Sequence, residues 1–152
     1  MAMDRNRDKR IEVMSPAGNF ESLMAAIQGG ANSVYFGVGK LNMRAKSSVN
    51  FGLQDLSEIA EICNKHNVKT YLTVNTVLYD EDIKLMKQTI SEAKNAGISA
   101  IIASDQAAIM YAREHDVEVH LSTQLNISNT EALKFYSKWA DVVVLARELN
   151  LD

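Results

Sequence analysis

Residues 11–37, IEVMSPAGNFESLMAAIQGGANSVYFG, decide the fold class. They read as apolar strand, tight turn, amphipathic helix, Gly29-Gly30 stop and second apolar strand. A strand that recurs after about twenty residues with a single helix between is a βαβ unit, and its two strands run parallel. Ser15-Pro16-Ala17-Gly18-Asn19 then lies at the carboxyl end of the first strand, where parallel α/β sheets and barrels carry their ligand sites. Asn19 is placed to cap the helix, with Leu23, Ala26 and Ile27 on its inner face.

The same alternation continues outward from this unit. Ser33 to Phe36 is the second strand, followed by a loop over 37–52 and a helix with Leu56, Ile59, Ala60 and Cys63 at helical spacing. Val68 to Val74 is a β-branched and aromatic third strand. Asp80, Glu81 and Asp82 put negative charge at the start of the third helix, Ile83, Met86, Ile90 and Ala93 form its stripe, and Gly97 stops it. Ile98 to Ala103, Val117 to Leu121 and Ala140 to Leu145 are strands four to six. Helices lie between them over Gln106 to Glu114 and from a Ser128/Glu131 capping box to Tyr136. The expected fold is α/β, a partial TIM-like (β/α) barrel of about six βα units with parallel strands. A doubly wound sheet is the alternative, disfavoured because no long crossover marks a reversal of strand order.

A closed barrel needs eight units and about 250 residues, so 152 residues do not close one alone. The first and sixth strands would be open edges, and pairing through them into a homo-oligomer, or continuation in a longer protein, is expected. Residues 1–10, MAMDRNRDKR, read as a disordered polar tail, and residues 11–152 as the N-terminal portion of the barrel-like domain.

Composition narrows the function. With 47% hydrophobic and 23% charged residues and a net charge of −3, the chain is an ordinary globular sequence without a generally basic surface. No apolar run is long enough for a membrane span, and a cytoplasmic location is expected. One cysteine, Cys63, and three scattered histidines, His66, His115 and His120, show no metal-ligand spacing, so no metal is expected within this chain. Cys63 sits on an apolar helix face and reads as inert; His120 reads as an interior, hydrogen-bonded histidine.

The chemistry should gather past the strand ends. The loop over 37–52, GVGKLNMRAKSSVNFG, carries Lys40, Arg44 and Lys46 and no acid, so it is +3 within a chain of net −3. A basic mouth suits a carboxylate or phosphate, and Arg44, flanked by Met43 and Ala45, is the cation whose fork could hold one bidentately. Simple solvation explains Lys40 and Lys46 equally well. Asn75, Gln124 and Asn126 are amides suited to orienting a polar ligand. Arg147 and Glu148 follow the sixth strand and either pair with one another or line the site. Asp105 and Glu148 are the weak candidates for acid–base work, with an N-cap the simpler role for Asp105. No P-loop, Gly-rich dinucleotide turn, HExxH or Ser-His-Asp order is present.

Six stretches in register, EVMSPAGNFESLMAAIQGGANSVYFG, LNMRAKSSVNF, KTYLTVNT, IIASDQAAIMYAREH, VHLSTQLNISN and VVVLARELNLD, resemble the N-terminal half of the collagenase-like peptidases, peptidase family U32. The resemblance implies a barrel-like catalytic domain that continues past Asp152, where the family's cysteine-containing motif belongs. It implies one of two activities. Some relatives are described as proteases acting on collagen-like substrates; others serve in oxygen-independent hydroxylation of the transfer RNA wobble uridine, with prephenate as a source, of a ribosomal cytidine, or of a quinone precursor with an iron–sulfur cluster held by downstream cysteines. An iron–sulfur cluster is implied only through downstream cysteines that this chain lacks, so no cofactor is expected here. The partner expected is an anionic small molecule, RNA or a peptide. A non-catalytic anion-binding or assembly subunit is the alternative from a different class.

Overall fold

The computed structural model describes residues 11–43 and 51–150; the polar tail 1–10, Arg44 and Lys46 lie outside the described residues. Six strands alternate with five helices: β1 (Met14–Pro16), α1 (Phe20–Gln28), β2 (Ser33–Phe36), α2 (Leu56–Lys65), β3 (Lys69–Val74), α3 (Ile83–Ala96), β4 (Ala100–Ala103), α4 (Gln106–Glu114), β5 (Val119–Leu121), α5 (Thr130–Tyr136) and β6 (Val142–Val143). The strands form one sheet in the order β1-β2-β3-β4-β5-β6, every pair parallel. A sheet that adds each new strand beside the last is wound in one sense, so it curls into an open half-barrel with no point at which strand order reverses.

Side chains alternate across each strand and divide the protein into two layers. Val34, Phe36, Leu72, Val74, Ile101 and Leu121 face the helices and pack with Leu23, Ile59, Cys63, Met86, Ile90 and Ile109 in the main core. Tyr35, Tyr71, Ala100 and Ile102 point the other way and form a smaller cluster in the lumen. The helices begin and end on local chemistry. The Asn19 side chain accepts from the Ser22 N–H at 2.7 Å while Ser22 Oγ accepts from the Asn19 N–H, a reciprocal cap. Gly97 ends α3 at φ 81°, a left-handed value that a side chain would strain.

One expected cap is corrected. Asn129, not Ser128, caps α5, its Oδ1 accepting from the Ala132 N–H at 2.9 Å. Asn caps at least as well as Ser, and the shift by one residue moves Glu131 off the capping-box position, where it pairs with Lys134 Nζ at 2.7 Å instead.

At the amino-terminal end of the lumen, polar side chains clasp β1 to β3 across β2. The Tyr71 hydroxyl donates to Glu12 Oε1 at 2.5 Å, and Lys69 Nζ lies 3.5 Å from Glu12 Oε2. Beside them His120 Nε2 bonds Glu118 Oε1 at 2.8 Å, its ring centroid 4.5 Å from that of Tyr71. Burial pushes the Glu12 carboxyl up, but the Tyr71 hydrogen bond and the Lys69 charge outweigh it and hold the group below its ordinary value. Burial, then the bond to Glu12, raises the Tyr71 hydroxyl well above its own.

Two outcomes are expected. Ile101→Ala, at a side chain with no exposure, should cost about 2–5 kcal/mol in denaturant melts, whereas Ile11→Ala, 86% exposed, should stay within about 0.5 kcal/mol. The lowered Glu12 contributes stability that is present above the ordinary 4.5 and lost as pH falls through its folded value. The raised Tyr71 contributes stability present below 10.0 and lost at higher pH. Tyr71→Phe should therefore flatten both the acid and the alkaline limbs of a melting-temperature profile. The effect is small, because the Glu12 side chain is 39% exposed and screened by solvent. An unaltered acid limb would show that Tyr71 does not set the ionisation of Glu12.

Candidate functional site

Parallel strands deliver their following residues to one end of the lumen, and here they enclose a cleft of about 230 Å³. Met14, Ile102 and Val144 make its apolar wall; Tyr35, Thr73, Asn75, Ser122, Thr123 and Arg147 supply its polar groups. The hydroxyls are held in place. Thr73 Oγ1 donates to the Phe36 carbonyl at 3.0 Å, and Thr123 Oγ1 to the Leu145 carbonyl at 3.4 Å. Ser122, almost fully buried, donates to Gln124 Oε1 at 3.3 Å and accepts from the Gln124 N–H at 3.4 Å. Asn75 Oδ1 accepts from the Met43 N–H at 3.4 Å, which ties the end of β3 to the loop after β2.

Among the described residues, Arg147 is the only charged one lining this cleft. Its backbone is anchored just upstream, where buried Ala146 donates its N–H to the Ile127 carbonyl at 3.0 Å. Among the described residues no carboxylate lies within ion-pair distance of its guanidinium, so of the two alternatives for Arg147, pairing with Glu148 or lining the site, the second holds. Glu148 is exposed and does not line the cleft. The lumen thus carries a guanidinium at its carboxyl-end rim and, at the opposite end, the Glu12 and Glu118 carboxylates with the Lys69 ammonium beside Glu12.

The other candidates separate. Lys40 pairs with Asp82 at 3.2 Å and lies with Leu85 and Thr89 of α3, on the helix side of the sheet. Gln124 reaches the cleft only through Ser122. Asn126, exposed at φ 50°, ends the short turn over Thr123–Leu125 and serves the backbone. Asp105 Oδ1 accepts from the Ala107 N–H at 2.8 Å and caps α4. Ser122 and Thr123 lie at the mouth as the end of the fifth strand implies, whereas Tyr35 and Thr73 are cleft residues that the search for charges and amides passed over. Their signal was the period-two alternation that places Tyr35, Tyr71 and Thr73 on the inward face.

The loop after β2 has a rigid base. Val38 and Phe51 pair as an isolated bridge, and buried Asn42 donates its side-chain amide to the Val38 and Gly39 carbonyls at 3.3 and 3.1 Å. Asn42 lies so close over Gly37 that a Cβ there would fall 2.2 Å from Asn42 Cγ, so only glycine fits.

Cys63 is fully buried beneath α2 and burial pushes its thiol up to about 11, so it offers neither a reactive thiolate nor a ligand to a cluster at the mouth. Among the described residues no group of three or more His, Cys, Asp or Glu side chains could hold a metal ion. None of the described helices is long and apolar enough to cross a membrane.

Comparison with known proteins agrees with the topology. Over 141 residues the chain is 69% identical to a protein named collagenase from Porphyromonas gingivalis (strain ATCC BAA-308 / W83), covering 93% of this chain and 34% of that one. It is 34% identical over 145 residues to tRNA hydroxylation protein P1 of Bacillus subtilis (strain 168), covering 93% of this chain and 34% of that protein. The chain thus spans about a third of the length of these curated relatives. Among solved structures, the U32 peptidase Mk0906 superimposes with a TM-score of 0.73 at 10% identity, over 95% of this chain and 62% of that one, which bears on the fold alone. The sequence profile of peptidase family U32 matches residues 18–152. With the six consecutive parallel strands, that match means the chain belongs to peptidase family U32.

Proposed function

We propose that this chain forms the anion-recognising part of an RNA-hydroxylating enzyme, and that its mouth takes the carboxylate of a small dicarboxylate donor such as prephenate. The observation that carries the reading is Arg147, set in a cleft otherwise lined by hydroxyl, amide and apolar groups. A guanidinium presents two parallel donors that match a carboxylate, and neighbouring hydroxyls and amides can satisfy its remaining lone pairs. The likeness to the Bacillus protein named for tRNA hydroxylation supports the same choice. Peptide hydrolysis needs an activated nucleophile or a metal-bound water. The Thr73, Ser122 and Thr123 hydroxyls donate to carbonyl or amide oxygens, and among the described residues none of these three is paired with a histidine or carboxylate base.

The second reading is proteolysis of collagen-type peptides, favoured by 69% identity to a protein named collagenase. On either reading Arg147 binds and orients, and the reacting groups belong to the ligand or to the rest of a longer protein.

Mass spectrometry of nucleosides from total transfer RNA, in cells with and without the gene, separates the two. Loss of 5-hydroxyuridine derivatives, restored by the wild-type gene but not by Arg147→Ala, is the expected result. Unchanged nucleosides together with cleavage of a collagen-type peptide would transfer the assignment to proteolysis. In calorimetric titration with a small dicarboxylate, Arg147→Ala should weaken binding at least about tenfold while Lys40→Ala leaves it unchanged.

A further inference from the structure

We infer that the cleft selects among carboxylates by a fixed pattern of donors and acceptors: Asn75 donates to the carboxylate beside Arg147, and Thr73 accepts from a hydroxyl on the same ligand. Given Arg147 as the anion anchor, the reading proposed above on which this one rests, a hydroxy acid is preferred to the acid that lacks the hydroxyl.

Hydrogen bonds made within the protein leave each of these wall groups one role. Asn75 lines the cleft, and its side chain meets the Met43 N–H at 3.4 Å. A backbone N–H can only donate, so the atom it meets is the amide oxygen, and the amide is held in one of its two orientations. The NH2 group keeps two donors that find no acceptor among the described residues. Thr73 is fixed in the opposite sense. Its hydroxyl proton goes to the Phe36 carbonyl on the neighbouring strand at 3.0 Å, so the oxygen has only lone pairs left to offer a ligand. Thr123 repeats this arrangement with the Leu145 carbonyl at 3.4 Å. The Ser122 hydroxyl both donates to Gln124 and accepts from its N–H, and is satisfied without a ligand.

Thr73 lies in β3 and Asn75 one residue past its end, so the two share a face and stand about 7 Å apart along an extended chain. A small molecule with a carboxylate and a hydroxyl on adjacent carbons bridges that span with one hydrogen bond to each. The carboxylate lies at the rim with Asn75 and Arg147. The hydroxyl lies deeper with Thr73, whose register partner Ile102 belongs to the apolar wall that receives the carbon skeleton. An acid without the hydroxyl displaces water from the Thr73 oxygen and gives it no donor in return, which costs affinity.

Calorimetric titration of this chain with malate and with succinate tests the pattern, since the two acids differ by one hydroxyl. Malate should bind at least about threefold more tightly, the weight of one neutral hydrogen bond. Thr73→Val keeps the branched shape, removes the oxygen and should bring the two acids to equal affinity, whereas Thr73→Ser should preserve the difference; circular dichroism checks that both variants fold. Asn75→Asp keeps an oxygen for the Met43 N–H but sets a negative charge where the donors were. It should weaken both acids at least about tenfold while hydrogen exchange at the Met43 amide stays at the wild-type rate. Equal affinities in the wild type, or a preference for malate that survives Thr73→Val, would overturn the donor and acceptor pattern and leave Arg147 as the anion anchor. Binding of neither acid, or binding indifferent to Arg147→Ala, would overturn the anchor and the pattern together.

Discussion

The structure depends on one geometric constraint: every strand pairs in parallel with the strand before it. Because the register runs Val34 to Thr70, Leu72 to Ile101 and Ile101 to Val119, outward-facing side chains fall in rows that the helices can cover. The same register sends Tyr35, Tyr71, Ile102 and His120 into the lumen. A slip of one residue in any strand would exchange these two sets, burying Thr73 among the helices and opening Leu72 to the lumen. The main core is therefore as much a device for fixing register as a source of stability, and the cleft inherits its accuracy.

Carboxyl-end residues gain their chemistry from that accuracy. Arg147 owes its position to β6, short as it is, and to the hydrogen bond between Ala146 and Ile127. Asn75 owes its position to the end of β3 and to the Met43 N–H. Among the described residues neither is held by other charges. A site positioned by backbone can exchange side chains without losing its frame, which is consistent with one barrel half recurring in relatives named for collagen and for transfer RNA.

How far the sequence could be read differs between fold and site. Strand and helix identities were legible because apolar periodicity and capping residues are local: Ser33–Phe36 and Gln106–Glu114 have the bounds their side chains imply. The cap of α5 was misplaced by one residue because Ser128 and Asn129 are both good caps and local preference does not choose between them. Site residues were harder, since charge alone does not say which side of the sheet a loop will visit. Lys40 was sought at the mouth and is held on the helix side by Asp82, a partner 42 positions away. Arg147 and Glu148 were read as pairing or lining the site, and of the two Arg147 alone lines the cleft. Glu12 and Tyr71 carry no motif, and only the parallel register brings them together.

The strand order has a consequence for how the molecule comes into being. Since each strand's neighbour in space is also the preceding strand in sequence, pairing need never wait for a distant segment, and loop-closure entropy stays low at every step. A polypeptide leaving the ribosome could lay down β1, α1 and β2, then add one βα unit at a time, each docking on a finished edge. The clasp between Glu12 and Tyr71, spanning 59 residues, would close once β3 had been added. Direction of synthesis and direction of assembly coincide in this chain.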